Sequence, residues 1–435
     1  FSAWTGNVNG AGPDANANND TVRQSYLLAI AGGTYIVGPS ATANYPTVAA
    51  AVSAIRQAGI TGSINFLIEP GTYFSPTGGY DLSSVIGSGG STTIGFSSLT
   101  GSAADVILYN DTTGTPSSAR HTFNISVPGV SFSSLTFARA NIGSSTSAAL
   151  NFNTGAHNAS ITGCVFNDLL GTSNFASNAV RLGDCNGVSI IGNQFNDFYN
   201  SIYQTGNSGT VGSAYSSGLQ VISNTINRCR YNGIYLISVS NCLVQNNLLD
   251  GMHPTATFGY GIYFSRCYKA TVSENTIQGL LPIYPIYFFN YNGDPSNANV
   301  VINNVISGTN LTASATHYPI FFSASFSATA TAPANPRDYA NVAHNTVNYV
   351  VSSTSTTAYG LLHVSGSTTA ANNGIIGVFN NIFYAKAGAG ATLPTGIRGI
   401  YISAAQARDS IQSNYNNIRL EDNAGAPAAR PLVGV

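Results

Sequence analysis

One short sequence pattern recurs along this chain of 435 residues. In residues 219–250 an apolar residue, an Asn and another apolar residue occur twice at the same spacing, centred on Asn224 and Asn247. A unit that returns about every thirty residues indicates a chain that coils and stacks on itself. The Asn recurs at Asn193, Asn224, Asn247, Asn275, Asn304, Asn345 and Asn381, with Leu135 and Cys164 at the equivalent earlier places and Asn414 as a weaker later instance.

Two apolar columns accompany the Asn column. The residues three places before it and two places after it are apolar in nearly every repeat, as Val221 and Ile226 are. Alternating apolar positions predict strands with one buried face. A further apolar strand precedes the next Asn, so each coil carries at least two strands joined by turns rich in Gly, Asn and Ser. Examples are Val180-Arg181-Leu182, Ile234-Tyr235-Leu236, Ile262-Tyr263-Phe264 and Ile400-Tyr401-Ile402.

These patterns predict an all-β fold. Stacked coils form parallel sheets with apolar residues inside, and parallel crossovers are nearly always right-handed. We therefore predict a right-handed parallel β-helix, a solenoid of roughly twelve coils. Residues 46–58 read as an amphipathic helix, with Val48, Val52 and Ile55 on one face, and we expect this helix to cap the N-terminal end of the core.

The pattern resembles the right-handed parallel β-helix of pectin-lyase-like proteins, in which inward Asn side chains stack into ladders. The resemblance covers roughly residues 100–420. The segment YPTVAAAVSAIRQAG followed by INFLIEPGTY is similar to the opening of pectin methylesterases and, more closely, to large secreted bacterial surface proteins. It implies a secreted protein, extracellular or on the surface of a bacterium. Function stays open, because this fold hosts lyases, hydrolases, esterases, tailspikes and passive adhesins.

The composition excludes several partners. Charged residues are 7% of the chain, and 15 Lys and Arg against 16 Asp and Glu leave a formal charge of −1. No basic patch for nucleic acid or an anionic membrane is present, and no apolar run is long enough to insert into a membrane. Weak repulsion between copies permits self-association.

The five cysteines are Cys164, Cys185, Cys229, Cys242 and Cys267. Their number is odd and no C-x-x-C pair occurs, so neither a zinc site nor a redox motif is indicated. Cys185 and Cys267 hold equivalent places three coils apart, too far to bond. We expect no disulfide, no metal and no cofactor.

Three charged residues on consecutive coils are candidate catalytic residues: Asp168, Asp197 and Arg228. Stacking places Asp168 and Asp197 about 5 Å apart, with Arg228 beside Asp197. Paired carboxylates serve as the acid and base or nucleophile of a glycosidase, or as Ca²⁺ ligands. The alternative that we favour is a turn in which Arg228 neutralises Asp197 and the residues are structural.

Other signals of catalysis do not appear. The N-T-D, D-D, H-G and R-x-K motifs of polygalacturonases, the G-x-x-D-F-I-F-G strand of pectin methylesterases and the clustered Ca²⁺ ligands of pectate lyases are absent from the sequence. The six histidines have no metal-ligand spacing. The Tyr-rich segments 283–291 and 317–322 offer rings that stack on sugars, pack in the core or serve subunit contacts.

We therefore predict a non-catalytic structural protein, a cell-surface or extracellular filament or adhesin subunit that self-associates. Its partners are other copies of itself and surface glycans. Phe1, Trp4 and Tyr26 are candidate assembly contacts, by strand addition from a flexible arm. The alternatives are a polysaccharide lyase or glycoside hydrolase of the same fold, and a passive carbohydrate-binding module. The predicted regions are the arm at 1–24, a strand and capping helix at 25–75, the β-helix at 76–420 and a tail at 421–435.

Overall fold

The computed structural model describes most of the chain. The described residues are 2–4, 21–23, 27–110, 121–139, 147–168, 178–204, 215–253, 259–289, 291, 296–310, 317–323, 339–351, 361–365, 375–388, 393, 397–402, 410–421 and 433–434. Within the predicted arm, strand Ser2–Trp4 pairs antiparallel with strand Thr21–Arg23, so Trp4 lies in a strand. Phe1 and Tyr26 lie outside the described residues.

Three long parallel sheets form the molecule, and each full coil gives one strand to each of them. The sheet of 13 strands, which we call sheet 1, contains the apolar residue that precedes the Asn in each repeat. Its strands are Gly33–Val37, Ile64–Ile68, Ile94–Ser98, Val130–Ser133, Ser160–Thr162, Ser189–Ile191, Gln220–Ile222, Leu243–Gln245, Thr271–Ser273, Asn299–Ile302, Tyr339–Ala343, Ile375–Phe379 and Ser410–Asn414.

Sheets 2 and 3 have 12 strands each. Sheet 2 follows the Asn, and its strands are Gly71–Phe74, Val106–Tyr109, Thr136–Arg139, Val165–Asp168, Gln194–Asn196, Thr225–Cys229, Leu248–Met252, Thr276–Leu281, Val305–Asn310, Thr346–Val351, Ile382–Ala387 and Asn417–Glu421. Sheet 3 contains Tyr80–Leu82, His121–Ile125, Ala148–Phe152, Asn178–Leu182, Asn200–Gln204, Asn232–Ile237, Tyr260–Ser265, Tyr284–Phe289, Ile320–Ser323, Leu362–Ser365, Ile400–Ile402 and Val433–Gly434. The prediction of a parallel β-helix of roughly twelve coils is confirmed.

The recurring sequence pattern spans two strands and the turn between them. In each repeat the residue before the Asn has a left-handed backbone conformation, for example Ser223 at φ 55° and Glu274 at φ 59°. This conformation turns the chain sharply from sheet 1 into sheet 2, at a cost of about 1 kcal/mol for a residue with a Cβ atom. The turn leaves buried backbone groups that need partners, and the Asn supplies them.

The Asn side chains form a continuous ladder along the inside of this turn. The backbone N–H and the side-chain Nδ2 of Asn193 both donate to Oδ1 of Asn224, at 2.9 and 3.0 Å. Nδ2 of Asn224 also donates to the carbonyl of Ile190, at 2.9 Å. The same bonds join each following pair through Asn247, Asn275, Asn304, Asn345 and Asn381. Every one of these Asn residues is at most 2% exposed, so the ladder satisfies polar groups that water does not reach.

The ladder continues beyond Asn381 through Asn416, and the assignment of this place to Asn414 was wrong. The N–H and Nδ2 of Asn381 donate to Oδ1 of Asn416, each at 2.9 Å. Tyr415 takes the left-handed position before it, at φ 54°. At the other end, the N–H of Cys164 donates to Oδ1 of Asn193, at 2.9 Å, so Cys164 starts the ladder without extending it.

The inward columns of the three sheets form one apolar core. Val221 lies opposite Val244 in sheet 1, and Ile226 lies opposite Leu249 in sheet 2, as the repeat predicts. Phe137, Phe166 and Phe195 stack with ring centroids 5.0 and 4.8 Å apart. All five cysteines lie buried as thiols in this core.

One α-helix, α1 at Val48–Ala58, covers the N-terminal end of the core among the described coils. It starts two residues later than predicted, because Thr47 caps it by accepting a hydrogen bond from the N–H of Ala50 at 3.1 Å. Sheet 1 begins one strand earlier than sheets 2 and 3, and α1 lies at the level where those sheets have no strand and contacts strand Tyr80–Leu82. Its buried residues Val48, Val52 and Ile55 join the core.

We predict that Asn275→Ala strongly destabilises the protein. The change removes the acceptor of the Asn247 N–H and Nδ2 and the donor to the Val244 carbonyl. Each buried polar group that loses its partner costs about 1–3 kcal/mol, so the free energy of unfolding should fall by at least about 3 kcal/mol in urea denaturation. Glu274→Gly is the matched control, because it keeps the left-handed turn and should change stability by less than about 1 kcal/mol. Equal stabilities of the two variants would refute the role assigned to the ladder.

Candidate functional site

Two of the predicted charged residues form an ion pair on the surface. Nε and Nη2 of Arg228 donate to Oδ1 and Oδ2 of Asp197, at 3.0 and 2.6 Å. Both residues have left-handed backbones, at φ 62° for Asp197, which directly follows strand Gln194–Asn196, and 50° for Arg228, which lies within strand Thr225–Cys229. The carboxylate raises the pKa of Arg228 by hydrogen bonding and by its charge. The Arg228 side chain is 60% exposed, and exposed pairs contribute at most about 1 kcal/mol.

Asp168 has a different arginine beside it. It ends strand Val165–Asp168, where it lies opposite Arg139 of the preceding coil, and both side chains are buried. Burial lowers the pKa of Arg139, and the nearby charge of Asp168 raises it. Strand pairing towards the next coil ends at Asn167 and Asn196, one residue before Asp168 and Asp197. The two carboxylates therefore take part in separate charge pairs.

The outer surface of sheet 3 has a continuous row of aromatic side chains. It consists of one residue from each of seven consecutive coils, and we call it the aromatic row. Neighbouring ring centroids are 4.5 to 5.2 Å apart. The row contains Tyr203, Tyr235, Tyr263, Tyr287, Phe321, His363 and Tyr401.

A second set of tyrosines flanks this row, at the corner where sheet 2 leads into sheet 3. We call it the outer row, and its neighbouring rings are 4.9 to 6.3 Å apart. From the coil of Tyr260 onward the two rows touch, because Tyr260 lies 4.6 Å from Tyr263. Together they form an aromatic face that crosses most of the described coils. The outer row contains Tyr199, Tyr231, Tyr260, Tyr284 and Tyr318.

The local sequence explains why these rings point outward. In each sheet 3 strand that contributes to the aromatic row, an inward Ile or Leu is followed by an outward residue and then by another inward residue, as in Ile234-Tyr235-Leu236. Stacking repeats this alternation from coil to coil, so the outward residues align. The sequence signal for this row was an aromatic residue in the middle of the repeated apolar triplet, as in Ile262-Tyr263-Phe264 and Ile400-Tyr401-Ile402. Only the Tyr-rich segments at 283–291 and 317–322 were singled out from the sequence.

A second buried Asn ladder, which was not predicted, lies under the start of this face. Nδ2 of Asn200 donates to Oδ1 of Asn178 at 2.8 Å, and Nδ2 of Asn232 donates to Oδ1 of Asn200 at 2.6 Å. Each of these Asn residues begins a sheet 3 strand, two places before the inward Val or Ile. The ladder ends at Asn232, because Tyr260 holds the equivalent position in the next coil.

The aromatic face is uncharged at neutral pH. Burial, together with a smaller effect of neighbouring tyrosines, raises the pKa of Tyr235 and of Tyr287 to about 12. Burial lowers the pKa of His363 to about 4. The face therefore offers apolar ring edges together with neutral phenol groups.

These pKa values predict a pH effect on stability. His363 is neutral in the folded protein and titrates near 6.5 when unfolded, so the unfolded state binds more protons between about pH 6.5 and 4. Stability contributed by the neutral ring is present above about pH 6.5 and is lost as the pH falls towards 4. His363→Phe keeps the ring stack and should lose less stability than the wild type between pH 7 and 4.5 in urea denaturation. Burial also lowers the pKa of His121 to about 4, but His121 is present in both proteins, so its effect does not contribute to the difference between their pH profiles. Parallel pH profiles would contradict the expectation.

Comparison with known proteins supports the fold. Residues 128–335 match the family described as periplasmic copper-binding protein (NosD), over less than half of the chain. The lacto-N-biosidase GH136 of Eubacterium ramulus superposes with a TM-score of 0.55 at 11% identity, covering 89% of this chain and 68% of that one. The chain is a parallel β-helix protein. The surface adhesin PfbA of Streptococcus pneumoniae gives a TM-score of 0.48 at 12% identity, covering 88% of this chain and 93% of its own. No curated protein matches the sequence.

Copper belongs to the description of the matched family, and the described residues of this β-helix do not fit such a centre. They contain no group of three or more His, Cys, Asp or Glu residues that could hold a metal ion. Sulfur is a soft ligand of the type that suits copper, and the sulfur atoms of Cys229 and Met252 lie 3.3 Å apart. Burial raises the pKa of Cys229 to about 12, which keeps the thiol protonated, whereas metal binding requires the thiolate.

Proposed function

We propose that this β-helix is a non-catalytic extracellular or cell-surface protein that binds glycan chains along its aromatic face. The observation that carries this proposal is the continuity of the aromatic row over seven coils. Four members of the row are half-buried, whereas Tyr263, Phe321 and His363 are at most 9% exposed. Contiguous apolar surface on a folded protein often marks a binding site. An extended polymer is the type of ligand that can contact all of these coils at once.

The chemistry of the strip favours a sugar polymer. Tyrosine combines an apolar ring with a polar hydroxyl, and a sugar ring likewise combines apolar C–H groups with hydroxyls. The phenols of Tyr235 and Tyr287 stay protonated because burial raises their pKa, so they donate hydrogen bonds without adding charge. With only 7% charged residues in the chain, long-range electrostatic attraction contributes little to binding.

The proposed location rests on two observations. The family that matches residues 128–335 is described as periplasmic, which agrees with a protein that works outside the cytoplasm. The segment at residues 45–73 is similar to secreted bacterial surface proteins. Among the described residues, no helix has the length and apolar character needed to cross a membrane.

We predict that Tyr287→Ala weakens polysaccharide binding at least about fivefold, because an aromatic contact residue at the centre of an interface often contributes more than 1 kcal/mol. Affinity electrophoresis against immobilised dextran, galactan, polygalacturonate and hyaluronate measures the effect. Tyr109→Ala is the control, since Tyr109 stacks on Phe74 at 5.3 Å in sheet 2 and lies outside the aromatic face. Equal losses in the two variants, or no retention of the wild type in any gel, would argue against the proposal.

The enzyme alternative rests on Asp168, Asp197 and Arg228. Asp197 is ion-paired with Arg228, and Asp168 lies opposite Arg139 in the neighbouring strand, so each carboxylate has a structural partner. If the wild type releases reducing sugar from any of these polysaccharides and Asp197→Asn does not, the protein is a glycoside hydrolase and the proposal of a non-catalytic binding protein is wrong.

Self-association into filaments is a second proposal. It is favoured by the formal charge of −1, which gives copies little mutual repulsion. Electron microscopy of the purified protein at neutral pH tests this proposal. Ordered filaments would support assembly, and isolated particles at all concentrations would contradict it. Glycan binding does not depend on this outcome.

A further inference from the structure

At the start of the aromatic face the two rows are separated by a cleft. One wall is the stacked pair Tyr199 and Tyr231, and the other is the stacked pair Tyr203 and Tyr235, with ring centroids 4.9 Å apart in each pair. Asn200 and Asn232 of the second ladder lie between the walls and form the floor, in a space of about 220 Å³.

One end of the cleft is closed. Tyr260 takes the position of the floor residue in the next coil, and its ring lies 6.3 Å from Tyr231 and 6.1 Å from Tyr235. At the opposite end, Arg181 holds the place before Tyr203 in the outward column, and its Nη1 donates to Oδ1 of Asn151 at 2.9 Å. The cleft therefore spans two coils.

The cleft also has polar groups suited to a hydroxylated ligand. The phenol of Tyr231 lies near enough to the opposite wall to raise the pKa of both Tyr203 and Tyr235. On the floor, Oδ1 of Asn232 is buried and accepts no hydrogen bond within the described part of the chain. This acceptor is left without a donor because Tyr260 replaces the Asn that would bond to it in the next coil.

We propose that this cleft is a subsite for a single sugar ring that is linked to its glycan on one side only. The space is smaller than the roughly 300–1,000 Å³ of sites for drug-sized ligands, which suits one ring. An internal residue of a chain carries two linkages and needs an exit at both ends, whereas Tyr260 closes one end. The occupant is therefore a chain end or a single-residue branch. This inference deepens the proposed glycan binding and depends on it.

The probes are methyl glycosides of the sugars found in the polysaccharide that the wild type retains best, because a methyl glycoside has the shape of a terminal ring. We expect the matching glycoside to displace the polysaccharide and to bind directly in calorimetry. Tyr203→Ala should weaken glycoside binding at least about tenfold through the loss of one wall. Tyr203→Phe keeps the wall and loses only the hydroxyl, so it should weaken binding about threefold to tenfold. This second variant keeps the test valid if Tyr203→Ala does not fold.

Tyr401→Ala is the matched control, because Tyr401 lies at the far end of the same aromatic row. It should weaken binding of the polysaccharide and leave binding of the methyl glycoside unchanged. Linear and singly branched oligosaccharides of equal length then distinguish a chain end from a branch as the natural occupant.

The outcomes separate the two proposals. Glycan binding by the aromatic face is supported if the wild type binds the polysaccharide and Tyr287→Ala binds it more weakly. The cleft is nevertheless not such a subsite if no methyl glycoside binds, or if both Tyr203 variants bind the glycoside as tightly as the wild type does. If no polysaccharide binds the wild type, both proposals are overturned.

Discussion

The structure depends on satisfying the polar backbone groups at one buried turn. A sharp left-handed turn between sheets 1 and 2 places N–H and C=O groups inside the core, where each unpaired group costs about 1–3 kcal/mol. The Asn at the second turn position bonds to both neighbouring coils at once, as Asn224 does with Asn193 and Asn247. A coil is therefore stable only with its neighbours in register, which explains why one residue type recurs while the loop lengths vary.

Most of the fold was predictable, because the Asn column and its two apolar columns are local in sequence and recur in most coils. The prediction failed where the repeat loses its apolar residue. Ser413 takes the place that Val378 holds in the previous coil, so the sequence alone favoured Ile411 as the inward residue and Asn414 as the ladder position. Only the pairing of whole strands places Asn416 in the ladder. The left-handed residues before each Asn, such as Glu274 and Tyr415, share no side-chain type from which they could be recognised.

The candidate site was harder to predict for a physical reason. The aromatic face exists only across coils, since Tyr203 and Tyr235 are separated by 32 residues and each is a single outward residue between two inward neighbours. A search along the chain instead finds Asp168, Asp197 and Arg228. Both contacts follow from coil spacing, because Arg139, like the other three residues, lies four places after the repeat position, but Arg139 was not singled out from the sequence. The second ladder escaped notice because it has only three members.

The ladder also gives the solenoid a direction. In every step the amide nitrogen and backbone N–H of one Asn point towards the C-terminal neighbour, and the amide oxygen of that neighbour points back. The two faces of any coil thus offer different arrangements of donors and acceptors at the turn. Two like faces are not complementary, so a twofold-symmetric contact between like ends cannot reproduce the contact between coils. If copies of this protein stack end to end with coil-like geometry, all of them must point the same way, and the resulting fibre must have two different ends.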